Sequence, residues 1–76
     1  MNVSVYSTPT CPWCDKAKSY LNQNNIDYTN YNVAEDRNAA MDMIRKSGQR
    51  GVPVLDINGK IIIGFDKPAI DSALGL

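Results

Sequence analysis

Residues 3–14 read VSVYSTPTCPWC and decide the fold, because a short β-prone run leads directly into a pair of cysteines, Cys11 and Cys14. The run alternates weakly and ends in Thr8-Pro9-Thr10, so residues 2–6 are predicted to form a first strand. The cysteines open a stretch with helical spacing. A strand that delivers Cys-x-x-Cys to the first turn of a helix places the leading sulfur near unpaired N–H groups and the positive end of the helix dipole, which favour a thiolate.

The remainder of the chain supplies alternating helix and strand signals. They predict a helix over residues 12–24 capped by Thr10, a strand over 26–33, and a second helix from Glu35-Asp36 to Gly48. Two further strands are predicted over 52–57 and 61–63, joined by a turn at Asn58-Gly59. A last helix follows, capped by Asp66 and with Pro68 in its first turn. This βαβαββα order predicts one α/β domain over residues 1–76. We expect parallel crossovers for the first two strand–helix–strand steps, a final antiparallel hairpin, and a four-stranded mixed sheet with three helices on its two faces.

Composition excludes several classes of function. Eight basic and eight acidic residues cancel, so charge gives no basis for binding nucleic acid or an anionic membrane. No apolar run approaches the roughly 20 residues that a membrane-spanning helix needs. The N-terminus lacks the basic-then-apolar order of a signal peptide, and the expectation is therefore a soluble protein of the cytoplasm.

Cys11 and Cys14 are the only cysteines, and the chain has no histidine. A bridge between them closes too small a loop to remove much unfolded-chain entropy, which argues against a structural staple. Zinc prefers four ligands, so a zinc site would need carboxylates or a second chain. Thiol–disulfide exchange is the favoured interpretation, with Cys11 exposed and attacking a substrate disulfide, and with Cys14 beneath it or an external thiol resolving the intermediate.

Two further segments are candidates for contact with a substrate. Proline is unusual at the start of an interior strand, where Val52-Pro53 is predicted to lie. The context fits two alternatives equally well. One is a trans bond where the chain enters the strand, and the other is a cis bond that exposes the preceding backbone for pairing with a substrate. The nearby Gln49 and Arg50 fit solvated loop residues, and the Arg50 guanidinium also fits a contact with a carboxylate. Gly64-Phe65-Asp66 fits either an anion-binding helix N-terminus or a plain turn with an N-cap.

Together these motifs resemble those of the glutaredoxins, within the thioredoxin superfamily. The resemblance covers nearly the whole chain and rests on Val5-Tyr6-Ser7, Cys11-Pro12-Trp13-Cys14, Ser47-Gly48, Val52-Pro53 and Gly64-Phe65-Asp66. It implies a thioredoxin-like fold, a cis proline at Pro53, Cys11 as the nucleophile and Cys14 as the resolving thiol. It further implies a monomer that reduces disulfide-containing proteins, binds no permanent cofactor or metal, and uses glutathione as its co-substrate.

The resemblance also implies a groove for glutathione beside the cysteines. Carried over by position, the contacts would be Val52 and Pro53 for the cysteinyl part, Phe65 and Asp66 for the γ-glutamyl end, and Trp13, Gln49 and Arg50 for the glycyl end. These side chains and helix N–H groups suit an anionic tripeptide.

The chain departs from the usual glutaredoxin pattern around that groove. Thr8 and Pro9 occupy positions where many members have a lysine, Gly51 replaces a threonine, and Ile63 replaces the first of two glycines. These changes weaken the inference of glutathione use and leave the dithiol inference intact. The alternative is an electron donor to ribonucleotide reductase or a peroxidase that is itself reduced by thioredoxin reductase. A second alternative is a glutathione-ligated iron–sulfur cluster carrier, which the stiff Pro12 disfavours.

Overall fold

The computed structural model describes residues 1–76. Its elements are β1 (Val3–Ser7), α1 (Pro12–Gln23), β2 (Thr29–Asn32), α2 (Arg37–Ser47), β3 (Val54–Ile57), β4 (Lys60–Ile63) and α3 (Lys67–Leu74). The predicted fold class is confirmed, because the strands form one four-stranded mixed sheet with the βαβαββα order. None of the helices combines the length and the apolar character needed to cross a membrane.

The sheet has the strand order β2-β1-β3-β4. β1 pairs in parallel with β2, as expected for the first crossover, and the final β3–β4 hairpin is antiparallel. The parallel arrangement expected for the second crossover is wrong, because β3 runs antiparallel to β1. Val54, the first residue of β3, lies opposite Tyr6 near the end of β1. Residues 48–53 therefore connect α2 to the start of β3. That start lies at the same end of the sheet as the carboxyl ends of β1 and β2.

Helices cover both faces of the sheet, as predicted. One face is buried under α1 and α3, and its core consists of Val3, Val5, Ala17, Leu21, Leu55, Ile57, Ile62, Ile70 and Leu74. The other face is buried under α2 by the smaller cluster of Tyr6, Ala39, Met43 and Val54. The period of two along β1 explains this division, because Val5 and Tyr6 point to opposite faces. The carboxyl end of β1 is therefore packed on both sides beneath the loop that carries the cysteines.

The capping residue predicted for α1 is wrong. Thr10 does not cap the helix; Cys11 has the extended backbone of an N-cap, and its sulfur accepts the hydrogen bond from the Cys14 N–H that a hydroxyl would otherwise accept. Pro12 lies in the first turn as predicted, where its missing N–H removes no helical hydrogen bond. The sulfur of the leading cysteine is therefore itself part of the helix N-terminus.

Other boundaries differ from the predictions by a few residues. β2 begins at Thr29 and not at Ile26, because the Ile26 N–H is used by the Leu21 carbonyl in the turn that follows α1. β3 begins at Val54 and not at Val52. α2 begins at Arg37, and Asp36 is its N-cap, accepting from the Ala39 N–H. Asp66 caps α3 as predicted.

The end of α2 is anchored to the sheet by Lys46. Its ammonium nitrogen lies 2.8 Å from Oδ2 of Asp56 on β3 and 2.9 Å from the hydroxyl of Tyr6 on β1. The hydrogen bond to Asp56 is the largest cause of the raised pKa of Lys46, and the hydrogen bond to Tyr6 acts in the same direction. This link fixes the position from which residues 48–53 leave the helix.

A second polar cluster joins α1 to α3. The Tyr20 hydroxyl donates to Oδ1 of Asp71, and the Lys67 ammonium lies 3.3 Å from Oδ2 of the same carboxylate and 5.2 Å from the Tyr20 ring centre. The hydrogen bond from Tyr20 holds the pKa of Asp71 below its ordinary value, and Lys67 acts in the same direction. The cluster fixes α3 against α1 on the outside of the core.

We expect Asp71→Asn to lower the melting temperature at pH 7 by roughly 2–5 °C. A carboxyl whose pKa is lower in the folded state stabilises the protein above the pKa of the unfolded state, and that stabilisation is lost as the pH falls through the folded-state pKa. The difference between wild type and variant should therefore shrink as the pH falls below the ordinary range of a carboxyl pKa, about 4. Thermal unfolding at several pH values measures this. Asp27→Asn, at an exposed acid without a hydrogen-bonding partner, is the matched control and should leave the melting temperature at pH 7 close to that of wild type.

Candidate active site

The two cysteines lie where the loop after β1 enters α1. Their Cα atoms are 5.2 Å apart and their sulfurs are joined in a disulfide, so the structure represents the oxidised protein. Cys14 is fully buried, as predicted for the inner position. Cys11, which was expected to be exposed, is half-buried in this oxidised state, and its sulfur is bonded to that of buried Cys14.

One backbone N–H group contacts the outer sulfur. The Cys14 N–H lies 3.1 Å from Sγ of Cys11, and the 12 residues of α1 direct their positive dipole end towards it. Reduction of the disulfide leaves this donor in place, so it can stabilise a Cys11 thiolate. The nearby lysines are occupied elsewhere, since Lys18 pairs with Asp15 at 3.8 Å and Lys16 lies 4.9 Å above the Trp13 ring. The helix terminus is therefore the main source of electrostatic stabilisation.

A groove of about 300 Å³ lies beside the cysteine pair, lined by Trp13, Val52, Pro53, Gly64 and Phe65. The Val52–Pro53 bond is cis, as the resemblance implied. Neither the N–H nor the C=O of Val52 hydrogen-bonds within the protein, whereas the Pro53 carbonyl accepts from the Gly64 N–H at 2.8 Å. The groove thus offers one unpaired donor and one unpaired acceptor of the backbone to a ligand.

Aromatic side chains form one wall of this groove. Trp13 is 57% exposed, and its ring centre lies 6.5 Å from that of Phe65. Phe65 is in turn contacted edge-on by Tyr20 at 5.8 Å between ring centres. Tyr20 therefore connects the polar cluster of α1 and α3 to the wall of the groove.

The three polar candidates occupy different positions. Gln49 turns its amide back onto the chain, with Nε2 3.0 Å from the Gly51 carbonyl oxygen. Arg50 is exposed and makes no hydrogen bond or ion pair within the protein. Asp66 uses Oδ1 to accept from the Ala69 N–H at 3.3 Å, which is its capping role. Of these side chains, Arg50 is the one whose charge is uncommitted.

Sequence reasoning missed some features of the site. Ile63, which replaces the first of two glycines in the usual pattern, is not among the residues that line the groove and is 52% exposed. The Gln49 amide contacts were also missed, although the spacing of Ser47, Gln49 and Gly51 by twos is visible in the sequence. The structure gathers no group of three or more histidine, cysteine, aspartate or glutamate side chains able to hold a metal ion.

A cysteine pair at a helix N-terminus, beside a loop with unpaired backbone groups in a thioredoxin-like fold, defines a thiol–disulfide oxidoreductase. Comparison with known proteins supports this class. The family model for glutaredoxin matches residues 3–62. A glutaredoxin-like 8.6 kDa protein in the rubredoxin operon of Clostridium pasteurianum is 50% identical over 72 residues, covering 95% of this chain and 96% of that protein. Glutaredoxin 3 of Escherichia coli is 36% identical over 78 residues, covering 99% of this chain and 92% of that protein. The chain belongs to the glutaredoxin family.

Solved structures agree with this assignment. The T8A mutant of the thioredoxin-like protein BC3987 superposes with a TM-score of 0.92 at 27% identity, covering 97% of this chain and 95% of that one. The glutaredoxin-like NrdH-redoxin of E. coli, described as having a thioredoxin-like activity profile, gives 0.85 at 25% identity, covering 95% and 93%. A buckwheat glutaredoxin in complex with glutathione gives 0.75 at 25% identity, covering 96% and 69%.

Proposed function

We propose that the protein is a dithiol glutaredoxin that reduces protein disulfides and glutathione mixed disulfides and is regenerated by glutathione. The observation that carries this proposal is the pair of unpaired backbone groups on Val52 in a groove beside the cysteines. An extended cysteinyl segment can pair with both groups as a strand pairs with a sheet edge. Such pairing directs the substrate sulfur towards the cysteine pair.

The reaction begins from the reduced protein. The Cys11 thiolate attacks one sulfur of the substrate disulfide and displaces the other sulfur as a thiolate, which takes up a proton. The Cys14 thiolate then attacks the sulfur of Cys11, which forms the internal disulfide and releases the second substrate thiol. Two molecules of glutathione reduce that disulfide and leave as glutathione disulfide, so that electrons and protons balance. The cytoplasm supplies this reductant, and the proposed active form is the monomer.

The proposed contacts with glutathione follow the geometry of the groove. Val52 and the adjoining Pro53 receive the cysteinyl part, and the exposed Trp13 ring flanks it. Phe65 and the N-terminus of α3 at Asp66 face the γ-glutamyl end, where backbone N–H groups suit a carboxylate. Arg50, whose guanidinium is unpaired, is proposed to bind the glycyl carboxylate. In this assignment backbone groups bind the centre of the tripeptide and a single cation binds one end.

A second candidate function is electron donation to a reductase or peroxidase, with thioredoxin reductase as the source of electrons. Two observations favour it. Thr8 and Pro9 provide no cation on the loop before Cys11, where a glutathione carboxylate would benefit from one. The fold also superposes on an NrdH-redoxin described as thioredoxin-like in activity. The two candidates share the dithiol chemistry and differ in the molecule that reduces the disulfide.

A comparison of reductants tests the proposal. The oxidised protein is offered NADPH with glutathione and glutathione reductase, or NADPH with thioredoxin reductase, and NADPH consumption is followed with a glutathionylated peptide as substrate. The proposal expects sustained turnover with glutathione and only background consumption with thioredoxin reductase. Turnover confined to thioredoxin reductase would replace it with the second candidate.

A further inference from the structure

The loop that precedes Val52 is held by a side chain of its own. The Gln49 Oε1 accepts from the Gly51 N–H at 2.5 Å, and Nε2 donates to the Gly51 carbonyl at 3.0 Å. The same Nε2 lies 3.2 Å from the hydroxyl oxygen of Ser47, the last residue of α2. We call these three residues, Ser47, Gln49 and Gly51, the Gln49 clamp. It connects the anchored end of α2 to the peptide immediately before Val52.

Both N–H groups of the Gln49 side-chain amide are hydrogen-bonded within the clamp. The two N–H bonds of Nε2 are directed at the Ser47 hydroxyl and the Gly51 carbonyl, and the oxygen is engaged by the Gly51 N–H. A ligand carboxylate would have to displace one of these bonds to reach the amide. This occupancy argues against the direct contact with the glycyl end that the family resemblance implied for Gln49.

The absence of a side chain at Gly51 makes the clamp possible. A Cβ built there would lie 2.7 Å from Gln49 Oε1, inside the van der Waals limit. The backbone of Gly51 is not in the positive-φ region, so alanine can adopt its conformation. The glycine is required for space and not for backbone freedom. Gly51→Ala therefore displaces the Gln49 side chain while leaving its amide present.

We propose that Gln49 is a positioning residue, which holds Gly51 so that the unpaired N–H and C=O of Val52 meet an incoming cysteinyl segment in register. The proposal rests on the proposed pairing of the substrate with Val52. It assigns no contact between Gln49 and the substrate. The clamp acts on the approach of the disulfide and leaves the reactivity of Cys11 unchanged.

The test uses Gln49→Ala, Gly51→Ala and the double variant, with Gln23→Ala on the exposed end of α1 as the matched control. Each pre-reduced protein is mixed with an excess of a glutathionylated peptide, and the second-order rate constant of its oxidation is measured. We expect each single variant to be slower by about tenfold, because misplaced binding groups lose rate steeply with distance. The double variant should be no slower than the slower single one, since both changes remove the same interaction.

The rate of alkylation of Cys11 by iodoacetamide distinguishes a positioning effect from general damage to the active site, which would change that rate. The alkylation rate should stay within about twofold of wild type in every variant. The proposal is overturned if Gly51→Ala reacts at the wild-type rate while Gln49→Ala is slow, which would make Gln49 a direct ligand. Multiplying effects in the double variant, or loss of alkylation rate, would also overturn it. The assay needs no regeneration by glutathione, so a protein reduced only by thioredoxin reductase refutes the proposed function without deciding the clamp.

Discussion

Cys11→Ser is expected to reduce the second-order rate constant for a glutathionylated peptide by about 10³-fold or more, the scale seen when an enzyme loses its nucleophile. The reacting species is a thiolate, and a serine hydroxyl is not ionised near neutral pH. Cys14 cannot replace the lost nucleophile, because it is fully buried within the first turn of α1. The measurement is the rate at which peptide thiol is released at a fixed concentration of reductant.

The control for this experiment is Ser19→Ala, an exposed position on the same helix, which should retain wild-type activity. The serine variant should keep the fold, since the N-cap position accepts an oxygen as readily as a sulfur. Retention of more than about one tenth of the activity would mean that Cys14 attacks the substrate. That outcome would reverse the roles assigned to the two thiols.

Cys14→Ser is expected to separate two activities that Cys11→Ser abolishes together. Exchange with a glutathione mixed disulfide needs one attacking thiol, because free glutathione can release the intermediate, and it should stay within about tenfold of wild type. Reduction of a disulfide within a protein needs the internal resolving thiol and should fall by about a hundredfold. Parallel assays with a glutathionylated peptide and with a disulfide-bonded protein measure the two rates.

The fate of the intermediate gives an independent check on Cys14→Ser. A mixed disulfide between Cys11 and the protein substrate should accumulate and be detectable by mass after acid quenching. Cys14→Ala serves as the matched variant, because it removes the sulfur without placing a hydroxyl in a fully buried position. If Cys14→Ser and Cys14→Ala each lost the exchange activity and the protein-disulfide activity to the same extent, Cys14 would be needed for more than resolving the mixed disulfide.

The strongest sequence signals were those in which a local pattern determines a local structure. The β-prone run before the cysteines, the proline in the first turn of α1, the hairpin at Asn58-Gly59 and the cap at Asp66 all correspond to observed elements. The placement of the cysteine pair follows from the first two of these. The oxidoreductase class was accessible from sequence because the chemistry depends on residues that are close in the chain.

The predictions that failed depended on longer-range or finer geometry. The direction of β3 is set by how residues 48–53 return from α2, and no local pattern encodes it. Thr10 was chosen as the cap because hydroxyls usually fill that role, yet the sulfur of Cys11 takes it in this helix. The bonds of Gln49 depend on a free space above Gly51 that only a three-dimensional structure reveals.

Alkylation of the reduced protein by iodoacetamide as a function of pH tests most directly whether the start of α1 activates its outer sulfur. The account predicts that Cys11 is modified first and reaches half its maximal rate below neutral pH, because the Cys14 N–H and the helix dipole favour the thiolate. Half-maximal rate only near about pH 8.5, as for an ordinary cysteine, would contradict the account, and so would faster modification of Cys14.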